Sequence, residues 1–176
     1  MKHITLETER LLIRPFTLAD VDGVFEFASN KFCQQHTGND VITSRDAAQD
    51  LIENVWLKDY AEFGYGRFAV IHKTDNKIIG FNSIKFLKDI QATDLGYRFL
   101  PEYWGKGIAT EASKSILKFA FEDKKLAEVI ATVYPENSAS TAVLKKLGFQ
   151  HIETKTYPEE TTTLDWYSLK TTNYEG

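Results

Sequence analysis

At 176 residues the chain is one ordinary domain long, and with 43% hydrophobic residues, 12 Phe, 8 Tyr and 3 Trp it has the composition of a folded core and not of a disordered chain. Its formal net charge is -4 without a long run of Lys or Arg, which argues against a protein that grips nucleic-acid backbone. A single cysteine excludes an internal disulfide framework and a multi-cysteine zinc site, and fits a reducing compartment.

The opening MKHITLETERLLIRPF carries a charge every few residues where a signal peptide needs an apolar stretch. No later segment approaches the ~18 apolar residues of a membrane span, so a cytoplasmic protein with no membrane partner is expected. LLIRP reads as a short strand. Thr17 followed by Asp20 is a capping-box-like helix start, with Val21, Val24, Phe25 and Ala28 as the apolar face. The polar stretch KFCQQHTGNDVIT has no helical period and is either a mobile connection or part of a binding surface. Ser44 caps a second helix, whose Leu51, Ile52, Val55, Trp56 and Tyr60 keep helical spacing up to Gly64. RFAVIHK and KIIGFNSIKFL, separated by TDN, form a hairpin. ATDLGYRFL is a further strand ending at Pro101. A helix follows from Gly107 to about Asp123, then a buried strand EVIATVY and a short helix from Asn137 to Leu147 closed by Gly148. FQHIETK and TLDWYSLKT close the chain as a strand pair.

The segment GYRFLPEYWGKGIATEA sets glycines between a strand and the first turn of a helix, an anion-binding arrangement in which backbone N–H groups and the helix dipole meet phosphate oxygens. The backbone of Gly105, Lys106, Gly107, Ile108 and Ala109 would close on a pyrophosphate. A Walker loop does not fit, because the glycines are one residue apart and Ile108 follows the second. A Rossmann fingerprint fits poorly, because Thr110 stands where Gly or Ala is required and the loop follows three earlier strands.

On that segment, on the opening RLLIRPFTLAD and on NSASTAVLKKLGF from Asn137 to Phe149, the chain resembles the GNAT superfamily of acyl-CoA-dependent N-acyltransferases. Within it, the resemblance is to the branch that contains the RimJ/RimL ribosomal-protein N-terminal acetyltransferases. The superfamily loop would run from Trp104 to Ala109, and Trp104 departs from the usual Arg or Gln but resembles this branch. The resemblance covers nearly the whole chain. It implies an α/β (α+β) fold in one domain, 1–176: a mixed, mostly antiparallel sheet of about seven strands, splayed between strands 4 and 5, with helices on both faces.

The activity implied is transfer of an acetyl group from acetyl-CoA to a primary amine by direct attack in a ternary complex, without a metal. A protein N-terminus is the first expectation for the acceptor, with a polyamine, antibiotic amine or small metabolite behind it. A catalytically silent coenzyme-binding sensor or scaffold is the competing reading, and the protein is expected as a monomer or homodimer without nucleic acid. By match, Tyr97, Arg98 and Phe99 would line the pantetheine arm, the loop from Gly105 to Thr110 would hold the pyrophosphate, Asn137 would meet the pantetheine amides, and Trp104 and Ser140 belong to the same cofactor-binding set. A backbone N–H near Phe99 would polarise the thioester carbonyl. Asp94 is the first candidate base and Glu102 the second, since an alkyl ammonium with a pKa near ~10.4 is almost wholly protonated at neutral pH. Many members place a Tyr in the last helix to meet the departing sulfur, where this chain has Leu144; Ser140 is the remaining hydroxyl, suited to hydrogen-bonding a thiolate.

Plainer readings stand beside these. Gly105 and Gly107 could make only a tight turn, Asn137 only a helix cap, Asp94 only a partner for Arg98, and Ser140 only a bond to a backbone carbonyl. Cys33 with His36 allows a covalent acyl-enzyme as a minor option. His3, His36, His72 and His151 lie at no metal-ligand spacing. Trp56, Tyr60, Phe63 and Tyr65 are core or line the acceptor mouth, Lys145 and Lys146 read as a solvated helix face, and Glu159 and Glu160 as an acidic loop.

Overall fold

A computed structural model describes residues 4–37, 40–157, 161–174 and 176. Among the described residues, eight strands form one sheet in the order β1-β2-β3-β4-β5-β6-β8-β7. They are β1 (Leu6–Glu7), β2 (Leu11–Pro15), β3 (Arg67–His72), β4 (Lys77–Leu87), β5 (Ala92–Phe99), β6 (Glu128–Val133), β7 (Gln150–Thr156) and β8 (Thr163–Lys170). Without the two-residue β1 these are the seven expected strands. Every neighbouring pair is antiparallel except β5 and β6, which run parallel and share one register pair, Asp94 with Ile130. A parallel pair needs a crossover, and α5 (Ile108–Lys118) supplies it.

Local chemistry places the helices. The Asp20 carboxylate accepts from the Thr17 N–H at 2.8 Å and takes both arms of Arg14 at 2.7 and 2.8 Å, so the chain turns into α1 (Val21–Ala28). Asn30 caps the short α2 (Lys31–Gln34), and Ser44 caps α3 (Arg45–Leu51) through the Ala47 N–H at 3.1 Å. A π-helical turn over Ile52–Trp56 joins α3 to α4 (Leu57–Phe63), which Gly64 ends in the left-handed region at φ 72°. α5 runs into a second π turn, Phe119–Asp123, and α6 (Ser138–Lys146) is the last α-helix among the described residues, followed after β8 by a single 3-10 turn at Thr171–Asn173.

Adjacent residues of a strand face opposite sides. On β4, the Phe81 ring meets Phe27 of α1 and Trp56 of the first π turn, while the Asn82 amide donates to Ser113 of α5 at 2.7 Å. Helices therefore cover both faces. Trp56, Tyr60, Phe16, Phe27 and Phe68 are the largest side chains closed off from solvent. Truncating a buried ring such as Trp56 to Ala costs about 3–5 kcal/mol.

Candidate active site

The β4–β5 ladder decides which main-chain groups face the gap beside β5. Leu100 N–H donates to Ile79 O at 2.9 Å, and the register continues without a shift through Phe81 opposite Arg98 and Ser83 opposite Gly96. Hydrogen-bonded pairs alternate along an antiparallel ladder, so Asp94, Gly96 and Arg98 turn their main chain toward β4, and Leu95, Tyr97 and Phe99 toward β6. Since β6 pairs with β5 at Asp94 alone, the main chain of Tyr97 and the Phe99 N–H open onto a cleft. Its volume is about 530 Å3, and its walls include Cys33, Phe81, Asp94, Arg98, Trp104, Asn137 and Ser140. The Phe99 carbonyl is already capped, by the Trp104 indole N–H at 2.7 Å and the Cys33 thiol at 3.4 Å.

At one end of the cleft the chain enters α5 through Gly105 (φ 69°) and Gly107 (φ 77°), conformations that a side chain disfavours. A Cβ on Gly105 would meet nothing within 4 Å, so the loop's outer side is open to a ligand. Arg10 holds the loop from behind. Its guanidinium donates to Lys106 O at 2.9 Å and pairs with Glu111 at 2.6 Å, and Glu111 also accepts from the Thr8 hydroxyl at 2.5 Å and the Arg10 N–H at 3.0 Å. The Glu111 charge is thus spent before it can oppose an anion at the helix N-terminus.

At the floor, where β5 and β6 separate, sits Asp94. Burial drives its carboxyl up to about 7, against a bond from the Thr132 backbone and the attraction of Lys85 and Arg67. One carboxylate oxygen, Oδ1, is buried without a hydrogen-bond partner. Across the gap, the Tyr97 hydroxyl lies 2.8 Å from Ser140 Oγ and 3.3 Å from Ser140 O, while burial pushes the phenol up to about 12. Asn137 caps α6, its Oδ1 accepting from the Ser140 N–H at 3.1 Å. That leaves its amide NH2 as a donor for a ligand carbonyl.

The acetyltransferase (GNAT) domain family matches residues 10–150. The chain belongs to that family. It is 36% identical over 150 residues to the uncharacterized N-acetyltransferase YnaD of Bacillus subtilis (strain 168), covering 84% of this chain and 82% of that protein. An acetyltransferase structure (GNAT family) from Bacillus anthracis superposes with a TM-score of 0.81 at 27% identity, over 95% of this chain and 98% of that one. The fold is also that of RimL, a ribosomal L7/L12 α-N-protein acetyltransferase solved with coenzyme A, at a TM-score of 0.81, 16% identity and 95% and 98% coverage. The protein is an acetyl-CoA-dependent N-acetyltransferase.

For an acetyltransferase the parts are arranged in a usable order: an open glycine loop, a strip of free main-chain groups, a carboxyl titrating near neutrality and a hydroxyl pair across the gap. Most of the expected residues come together. Tyr97, Arg98, Phe99, Trp104, Gly105, Ala109, Asn137 and Ser140 all line the cleft with Asp94. Ile108 is 2% exposed and packs inward, so only its backbone remains for a ligand. Lys106, Gly107 and Thr110 stand beside the cleft in the loop and first turn, with the Lys106 ammonium 5.6 Å over the Tyr103 ring. Glu102 does not line the cleft: it lies at the surface, 3.5 Å from Lys77. Asp94 makes no ion pair with Arg98 among the described residues.

Burial raises the Cys33 thiol to about 11, which leaves too little thiolate for an acyl-enzyme nucleophile. His36 sits beside Tyr134, ring centres 6.2 Å apart; His72 and His151 face Asp75 and Asp165. Among the described residues no group of three or more His, Cys, Asp or Glu is placed to hold a metal, and no helix is long and apolar enough to cross a membrane. Trp56, Tyr60 and Tyr65 are core residues, and Lys145 and Lys146 are exposed. His3, Glu159 and Glu160 lie outside the described residues. Sequence reasoning missed the Tyr97 phenol as a site hydroxyl, although strand alternation puts Leu95, Tyr97 and Phe99 on one face and Ser140 is the residue already singled out opposite. It also missed the Arg10–Glu111 clamp, which no local pattern announces.

Proposed function

We propose that the protein acetylates a primary amine by direct attack on acetyl-CoA bound along β5. The Phe99 N–H and the Tyr97 carbonyl pair with the pantetheine amides, the Gly105–Gly107 loop takes the pyrophosphate, and the Asn137 amide meets the arm's carbonyl. The Tyr97 N–H, the open donor nearer the fork, donates to the thioester oxygen as it gains charge, since Phe99, first expected in that role, lies about 16 Å along the strand from Asp94. Asp94 accepts the proton of the attacking amine, directly or through one water, and the Tyr97–Ser140 hydroxyl pair hydrogen-bonds the departing thiolate. A phenol pushed up to about 12 is a poor proton source at neutral pH, so its role is stabilisation of the sulfur.

The observation that carries this reading is Asp94 at the fork, because a carboxyl titrating at about 7 is matched to work as a base at neutral pH. A silent coenzyme binder is disfavoured by the same floor, since a buried, under-bonded carboxyl is costly to retain where no proton is moved. A protein N-terminus, at ~7.7 to 8.0, is the amine most easily deprotonated. The test is thiol release from acetyl-CoA with a panel of peptides and small amines. Turnover with peptide termini above that with polyamines supports a protein acceptor, and no thiol release with any amine while acetyl-CoA binds would leave the silent binder standing.

A further inference from the structure

Charge on the acceptor side of the cleft goes beyond what acetyl transfer needs. Along β5, Asp94, Gly96 and Arg98 share the face that looks toward α1 and the first π turn, opposite the face of Tyr97. Arg98 lines the cleft, with its guanidinium 5.4 Å from the centre of the Phe81 ring. Its side chain has no ion pair and no hydrogen bond among the described residues, and Nε is buried without a partner. Arg98 is half-buried, and a guanidinium nitrogen closed off from water without an acceptor is costly.

Nothing nearby balances it. Arg67 lies 5.7 Å over the same Phe81 ring, adds a like charge, and is taken by Asp59 at 3.7 Å. Glu102 is held by Lys77 at 3.5 Å, and the neighbouring Cys33 is a neutral thiol. With Asp94 ionised, Lys85, Lys88 and Arg67 face Asp59, Glu62, Asp89 and Asp94, so the wider cluster carries no cationic surplus, and Arg98 stands apart as the cation with no acid in reach. Of the six buried side-chain polar atoms without a hydrogen-bond partner among the described residues, five belong to Trp56, Asp59, Arg67, Asp94 and Arg98. Unmet hydrogen-bonding capacity therefore collects on this face. Gly96 keeps the strip between Asp94 and Arg98 free of a side chain, and a Cβ there would come within 3.1 Å of Ser83 Oγ. Four residues of strand set the two Cα atoms about 13 Å apart.

We propose that the acceptor is a primary amine that also carries a carboxylate, which Arg98 grips while the amine sits at the Asp94 end of the strip. This rests on the acetyltransferase reading of the cleft and adds the acceptor's charge to it. One free guanidinium matches one carboxylate fork to fork. The unpaired guanidinium works against a second ammonium at the Arg98 end, and so against a polyamine laid along the strip, and favours an amine that arrives with an anion of its own.

The test compares acids with their amides in one protein. Thiol release from acetyl-CoA is followed for 8-aminooctanoate against 8-aminooctanamide, which are long enough to span the strip, and for peptides with Glu against Gln at the second position, with rates corrected for the fraction of free amine. A charge-assisted pair predicts kcat/KM roughly 10–100-fold higher for the acid. Arg98→Gln brings that ratio close to one, and Arg98→Lys leaves it between the two. A response confined to 8-aminooctanoate identifies a free amino acid as the source of the carboxylate, and one confined to the peptides identifies an acidic terminus. A wild-type ratio at or below one, or a ratio that survives Arg98→Gln, overturns the inference, and a ratio within one protein is insensitive to partial misfolding. Should no amine turn over, the acetylated acids and amides are titrated into the coenzyme A complex, where equal affinities are the overturning result. Calorimetry with acetyl-CoA is read separately: lost coenzyme binding sinks the assignment of the cleft itself, and this inference with it.

Discussion

Replacing Asp94 by Asn removes the proton acceptor while keeping the side chain's shape. With the carboxyl at about 7, roughly one-tenth of the wild-type enzyme carries the base form at pH 6 and roughly nine-tenths at pH 8. Wild-type kcat/KM is therefore expected to rise about tenfold across that window. Asp94→Asn should lose this limb and fall roughly 10²–10⁴-fold at pH 8, the usual range for a general base. The assay is initial-rate thiol release with a weakly basic amine that stays unprotonated throughout, so that the limb belongs to the enzyme and not to the acceptor. The same carboxyl links stability to pH. Its pKa is raised on folding, so its contribution is fully present below the unfolded value of about 3.9 and is lost as pH rises toward 7. Asp94→Asn should accordingly melt higher than wild type at pH 8 and lose that advantage near pH 4. A flat wild-type profile between pH 6 and 8, or an Asn variant that keeps it, would refute the assignment of Asp94 as the base.

Gly107→Asp combines strain at φ 77° with a negative charge in the glycine loop, and should weaken acetyl-CoA binding by tenfold or more in calorimetry; an unchanged Kd removes the loop as the pyrophosphate site. Tyr97→Phe should lower kcat more than it raises the acetyl-CoA KM, and in a double-mutant cycle with Ser140→Ala the two losses should fall short of additive, because the hydroxyls act as a pair 2.8 Å apart. Cys33, 6% exposed with its thiol near 11, should react with an aromatic disulfide at neutral pH about 10²-fold more slowly in the native protein than after unfolding.

Much of the scaffold was legible because its signals are local. Ser44, Gly64, Gly107 and Gly148 mark helix ends through capping chemistry, and Leu11, Ile13, Ala112 and Ile116 declare their buried faces by spacing alone. The glycine loop was readable for the same reason: two positive-φ residues before an amphipathic helix are a short-range pattern. The site's chemistry depends on pairs far apart in sequence. Tyr97 meets Ser140 across 43 positions, and Arg10 meets Glu111 across 101. The match to relatives placed Asp94 as a base candidate, but only the closed floor between two separating strands shows why its proton is held to neutral pH. Arg98 is the clearest case. A sequence places it next to Phe99 and suggests a shared role, whereas the pleat sends its side chain to the other surface of the sheet.

The Arg10–Glu111 clamp ties the coenzyme loop to a stretch of backbone that touches no substrate. Thr8 and Arg10 act as a buttress, and the hinge at Gly105 and Gly107 keeps its shape only while that buttress is seated. Trimming, tagging or tethering the N-terminal segment should therefore be felt some hundred positions downstream, as a looser grip of the proposed pyrophosphate loop on acetyl-CoA, with the surroundings of Asp94 untouched.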